Sequence, residues 1–120
     1  MKREGPGWRL AFDRSREGHQ ALIGGDGWAL ELSDFELQLL RELCLRLLEQ
    51  HQAIADQLMA EEEIEISLEQ DCWWLELCGD REQWDLRFVL TGLRIRGAEG
   101  SWKKPASSAF VLALAQLDCF

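Results

Sequence analysis

Trp8-Arg9-Leu10-Ala11-Phe12 alternates large apolar residues with smaller or polar ones, and this period of two predicts a half-buried strand. Ala21-Leu22-Ile23 and Trp28-Ala29-Leu30-Glu31-Leu32 continue the strand character on either side of Gly24-Gly25-Asp26-Gly27. That Gly/Asp cluster tolerates positive φ and predicts a hairpin turn. A glycine loop that cradles phosphate would open directly onto a helix N-terminus, and here a strand intervenes.

The period then changes. Ser33-Asp34-Phe35-Glu36 fits a capping box, with Leu32 and Leu37 placed for a hydrophobic staple. From there to about Ala60 the chain lacks Gly and Pro, which predicts one long helix. Phe35, Leu39, Leu40, Leu43, Leu47, Ile54 and Leu58 form its expected apolar face, broken near His51. His51 is expected at the edge of that face or in solvent, not as a ligand.

Beyond the charge run Glu61-Glu62-Glu63, read as a solvated boundary, alternation returns. Ile64 to Leu68, Trp73 to Leu77, Trp84 to Leu90 and Leu93 to Arg96 predict four strands, with turns at 79–82 and 97–100. Short connections of this kind favour an antiparallel meander with one solvated face. Pro105 suits the first turn of a second, shorter helix. Ala106, Ala109, Phe110, Ala113, Leu114 and Leu117 make its apolar stripe, expected to pack on the sheet.

The order of elements predicts an α+β fold of two strands-then-helix halves, with antiparallel sheets packed on one long and one short helix. Residues 1–120 are expected to form a single domain, its halves about 5–60 and about 61–120, since 120 residues is an ordinary domain length. Ile23 to Trp28 and Ile95 to Trp102 both end a Gly-bearing stretch on Trp, a weak echo between the halves.

Charge narrows the choice of partners. The net charge is −9, and residues 21–72 carry thirteen acidic side chains against two basic ones. Such a field disfavours nucleic acid and anionic membrane surfaces unless a local basic patch opposes it. No apolar run reaches the roughly 20 residues that span a bilayer, and the first residues lack the apolar core of a signal peptide. The four cysteines, Cys44, Cys72, Cys78 and Cys119, show no CxxC spacing. Together these features predict a cytoplasmic protein with reduced thiols.

Candidate chemistry is sparse. The two histidines, His19 and His51, have no second ligand type at metal spacing, so no metal or other cofactor is expected. Carboxylates are numerous, but none is set apart as a general acid/base pair. Capping accounts for Ser33, and Ser107 and Ser108 belong to a helix start. No catalytic residue is assigned. Cys72 and Cys78 fall at strand ends and could meet only if the strand bends.

One grouping remains. Alternation turns Trp73, Leu75, Leu77, Trp84, Leu86, Phe88, Leu90, Leu93 and Ile95 toward the helices. It turns Cys72, Trp74, Glu76, Cys78, Asp85, Arg87, Arg94 and Arg96 the other way. Trp74 beside Arg87, Arg94 and Arg96 is the aromatic-plus-basic candidate binding surface. An aromatic ring with guanidinium groups can hold single-stranded nucleic acid, and Trp and Arg are also enriched in protein interfaces. Cross-strand pairing of Glu76 and Asp85 with those arginines is the structural alternative.

Four stretches resemble a small cyanobacterial family of uncharacterised domains: Gly5-Pro6-Gly7-Trp8-Arg9, Gly24 to Leu32, Leu58-Met59-Ala60-Glu61-Glu62, and Gly92-Leu93-Arg94 through Glu99-Gly100-Ser101-Trp102. The resemblance implies a cyanobacterial cytoplasmic protein with no assigned activity. It also implies a fold similar to the Whirly-type single-stranded-DNA-binding transcriptional regulators, and brings no catalytic residues. Fold likeness alone does not carry function.

The activity therefore stays unknown at this level. The expected role is a small non-catalytic binding or regulatory domain acting through a protein–protein surface, toward an unidentified protein partner or a second copy. Single-stranded nucleic-acid binding through the same face is the alternative, and an enzyme of undetected class comes third.

Overall fold

Each change of period along the chain becomes a change of element in the computed structural model, which describes residues 1–91 and 97–117. Strands β1 (Lys2–Gly5), β2 (Trp8–Phe12), β3 (Ala21–Gly25) and β4 (Trp28–Leu32) form one antiparallel sheet in sequential order. Helix α1 (Asp34–Ala55) follows. Strands β5 (Ile64–Gln70), β6 (Trp73–Gly79), β7 (Trp84–Thr91) and β8 (Gly97–Trp102) form the second sheet, and α2 (Ala106–Ala115) closes the order. The fold is α+β, with two four-stranded antiparallel sheets and two helices.

Capping starts α1 as the sequence predicts. Ser33 Oγ accepts from the Glu36 N–H at 3.2 Å, and the Glu36 carboxylate accepts from the Ser33 N–H at 2.8 Å. The helix ends at Ala55, short of the expected Ala60. Its buried residues are Leu37, Leu39, Leu40, Leu43, Cys44, Leu47 and His51. Phe35 and Ile54, expected on the apolar face, are solvent-exposed, Phe35 at 64%.

His51 is also a correction. It is buried, and Nε2 lies 2.9 Å from the Asp80 carbonyl oxygen. A carbonyl only accepts, so Nε2 carries the proton and ties α1 to the β6–β7 turn. A buried imidazole is tolerable when its polar nitrogen is satisfied in this way.

Two further strand boundaries differ from expectation. β1 has no apolar alternation (Lys2-Arg3-Glu4), yet it pairs with β2 through the turn at Pro6-Gly7, where Gly7 has φ +79°. β8 occupies Gly97–Trp102, a stretch the glycines mark as turn. Gly100 stands opposite Phe88, and a Cβ there would meet both the Phe88 and Trp28 rings. The glycine is present because an aromatic ring lies over it, not because the chain turns. The expected strand Leu93 to Arg96 lies outside the described residues.

Each helix reaches both sheets. α1 packs on β5 and β6 of the second sheet and touches β4, while α2 packs on β2 of the first and touches β7 and β8. The core joins the halves through rings: Phe88 lies 5.4 Å from Trp28, 5.5 Å from Trp73 and 5.4 Å from Trp102. Trp102 in turn stacks on Phe110 of α2 at 4.0 Å. Buried Ser107 donates from Oγ to the Trp84 carbonyl, which fixes α2 against β7. The strands-then-helix order occurs twice, but the Gly-to-Trp echo does not mark equivalent positions. Trp28 is the first residue of β4, whereas Trp102 is the last of β8.

Candidate binding surface

Register determines what shares the outer face of the second sheet. Trp74 stands opposite Val89, Glu76 opposite Arg87 and Cys78 opposite Asp85 across the β6–β7 pair. The neighbouring pairs extend these rows, with Glu69 opposite Trp74 on one side and Glu99 opposite Val89 on the other. The inward set follows prediction: Trp73, Leu75, Leu77, Trp84, Leu86, Phe88 and Leu90 are all buried. Trp73 is anchored further by donating from Nε1 to the Glu36 carbonyl at 2.9 Å.

Trp74 is half-buried on the outward face, and the Arg87 guanidinium carbon lies 4.8 Å from its ring centroid. Arg87 Nη2 also lies 3.5 Å from Glu76 Oε1. The arginine thus stacks on the indole and pairs across the strands at once. Because the Arg87 side chain is 56% exposed, solvent screens this pairing and it contributes little to stability. Asp85 is engaged by the Lys104 N–H at 2.8 Å and by Lys103 Nζ at 3.7 Å. The structure therefore brings Trp74 and Arg87 together, while Arg94 and Arg96 lie outside the described residues.

Among the described residues this face is acidic. Glu65, Glu69, Glu76, Asp85 and Glu99 occupy outward rows, against Arg87 and, at Asp85, Lys103. The field is felt at Cys78, whose thiol pKa is raised first by desolvation and then by Glu65, Glu76, Glu63 and Asp85. Cys72 precedes β6 and Cys78 lies near its far end, separated by roughly 20 Å of extended chain, so they do not meet. Cys44 is a core residue, its thiol pushed up to about 12 by burial.

Away from this face, a cleft of about 490 Å³ lies between the Pro6-Gly7 turn, Asp26, Trp28 and the Lys103-to-Ala106 connection. The sequence did not signal it, because its walls come from both halves of the chain. Among the described residues, no group of three or more His, Cys, Asp or Glu has metal-binding geometry. No described helix is long and apolar enough to cross a membrane.

Residues 3–117 match the model of a domain of unknown function, DUF1818. The chain belongs to that family. A solved structure from Prochlorococcus sp. NATL2A, described as a protein with unknown function from the DUF155 family, is 41% identical. It superposes with a TM-score of 0.90 and covers 95% of each chain. No curated protein matches. The DUF1818 assignment and the cyanobacterial neighbour agree with the family resemblance read from the sequence, and both leave the activity unassigned.

Proposed function

We propose that this DUF1818 domain is a non-catalytic binding or regulatory module, acting in the cytoplasm through a protein–protein surface on the outer face of its second sheet. One observation carries the reading. Trp74 is a half-buried indole on the outward side of a central strand, covered by the exposed Arg87 instead of by core. An aromatic with an adjacent arginine on a regular sheet face has the composition of an interface centre. Arg94 and Arg96, the other two arginines of the candidate surface read from the sequence, lie outside the described residues.

Single-stranded nucleic acid is the second reading, favoured by the same ring and guanidinium and by the Whirly-type fold that the family resemblance implies. The carboxylates around Trp74 oppose it, because among the described residues phosphate would meet more negative than positive charge there.

Paired experiments separate the readings. Trp74→Ala and wild-type protein are compared as baits and by sedimentation, and both are titrated with a fluorescent single-stranded oligonucleotide at low and physiological salt. The proposal expects a polypeptide partner, or self-association, that survives nuclease treatment and is lost in Trp74→Ala. Salt-sensitive oligonucleotide binding lost in the variant would replace it with the nucleic-acid reading. If Trp74→Ala changes neither, this face is not the site.

A further inference from the structure

We infer that the outer face of the second sheet takes a basic polypeptide segment in which two cationic side chains flank an apolar one. The inference rests on the protein-surface reading above and names the chemistry of its partner.

The row Glu69, Trp74, Val89, Glu99 crosses all four strands, with an apolar pair at its centre and a carboxylate at each end. Among the described residues, Glu69 and Glu99 have no cationic partner, unlike Glu76 and Asp85. Three interstrand steps place the two carboxylates roughly 14 Å apart. An extended peptide advances about 3.4 Å per residue and shows every second side chain on one side. Residues i, i+2 and i+4 of such a segment span about the same length, so Lys or Arg at i and i+4 would meet the carboxylates. An apolar residue at i+2 would then lie over Trp74 and Val89.

Arg87 is an intramolecular example of this chemistry. The face already holds one guanidinium between an indole and a carboxylate, at 4.8 Å and 3.5 Å. The neighbouring carboxylates Glu65 and Asp85 extend the negative rim. Charge of this sign attracts basic segments, speeds their encounter and rejects acidic ones.

The test is selection from a displayed library of random short peptides on the wild-type protein, with counter-selection on Trp74→Ala. Selected peptides are then titrated against wild type and the Glu69→Gln/Glu99→Gln double variant. Both glutamates are exposed, so their replacement leaves the fold intact, checked by circular dichroism. We expect Trp74-dependent peptides enriched in Lys or Arg around an apolar residue. Binding should weaken roughly three- to tenfold in the double variant and further with salt. Trp74-dependent peptides without basic enrichment, or with affinity unchanged in the double variant, would overturn this inference and leave the protein-surface reading standing. Failure to select any Trp74-dependent peptide would overturn both.

Discussion

The indoles of Trp28 and Trp102 lie 5.2 Å apart, and each donates its N–H to a backbone carbonyl in the other half of the chain. Trp102 reaches Gly24 at 2.8 Å in the core, while Trp28 reaches Ser101 at 3.3 Å nearer solvent. The pair joins the two sheets by ring contact and by reciprocal hydrogen bonds. Trp102→Phe keeps much of the ring packing but removes a buried donor, so it should cost about 1–3 kcal/mol. Trp102→Ala should cost about 3–5 kcal/mol, because a cavity is added. Trp28→Phe should cost less than Trp102→Phe in urea unfolding. Equal losses would show that burial does not rank these bonds.

Gly25 faces Trp28 across the β3–β4 pair, and a Cβ at Gly25 would fall inside the indole. The ring cannot retreat freely, since Phe88 and Trp102 hold its other side. Gly25→Ala should therefore destabilise by about 1–3 kcal/mol through overpacking. A thermal melt measures this, and a change confined to a few tenths would mean the indole has room to move.

Arg41 of α1 closes the far end of α2. Its Nη2 donates to the Ala115 carbonyl at 2.9 Å and its Nε to the Leu114 carbonyl at 3.3 Å. The last turn of α2 has no basic residue of its own. Arg41→Ala should cost about 1–2 kcal/mol and speed amide exchange at the end of α2 before that of β6. Uniform exchange across the molecule would argue against a local cap.

Asp80 accepts from the Glu82 and Gln83 N–H groups, both at 2.8 Å, and holds the β6–β7 turn. Those backbone hydrogen bonds, Gln83 first, lower its carboxyl pKa from the ordinary value of 3.8. A lowered folded pKa gives stability that is fully present above 3.8 and is lost as pH falls through the folded value. Wild type should thus exceed Asp80→Asn in stability at neutral pH, and the two curves should converge in acid. Urea unfolding at several pH values reads the difference; a gap that persists or widens below the folded pKa would contradict it.

Phe35 and Leu39 lie one helical turn apart, with opposite surroundings: Phe35 is 64% exposed and Leu39 only 5%. Phe35→Ser should change stability by less than about 0.5 kcal/mol, whereas Leu39→Ala should cost about 2–5 kcal/mol. A large loss on Phe35→Ser would restore Phe35 to the core that its helical spacing predicts.

These residues show how far periodicity extends. The capping box at Ser33, the hairpin at Gly24 to Gly27 and the buried set from Trp73 to Leu90 were legible because each rests on contacts within a few residues or on strict alternation. The order of elements, and with it the α+β class, was legible for the same reason. The outward side of Trp74 and Arg87 was equally legible, because a strand's pleat assigns faces without reference to the rest of the fold.

Long-range placement was not. Whether Phe35 meets solvent, whether His51 finds the Asp80 carbonyl and whether glycines 97 and 100 form a strand depend on what other segments bring near them. The acidic row that brackets Trp74 depends likewise on the register of three successive strand pairs, which alone brings Glu69, Trp74, Val89 and Glu99 into one line. Local sequence dictates helix, strand and turn through propensity and period. Only tertiary structure decides which side chains share a surface, because those contacts are made between residues that the chain itself does not place together.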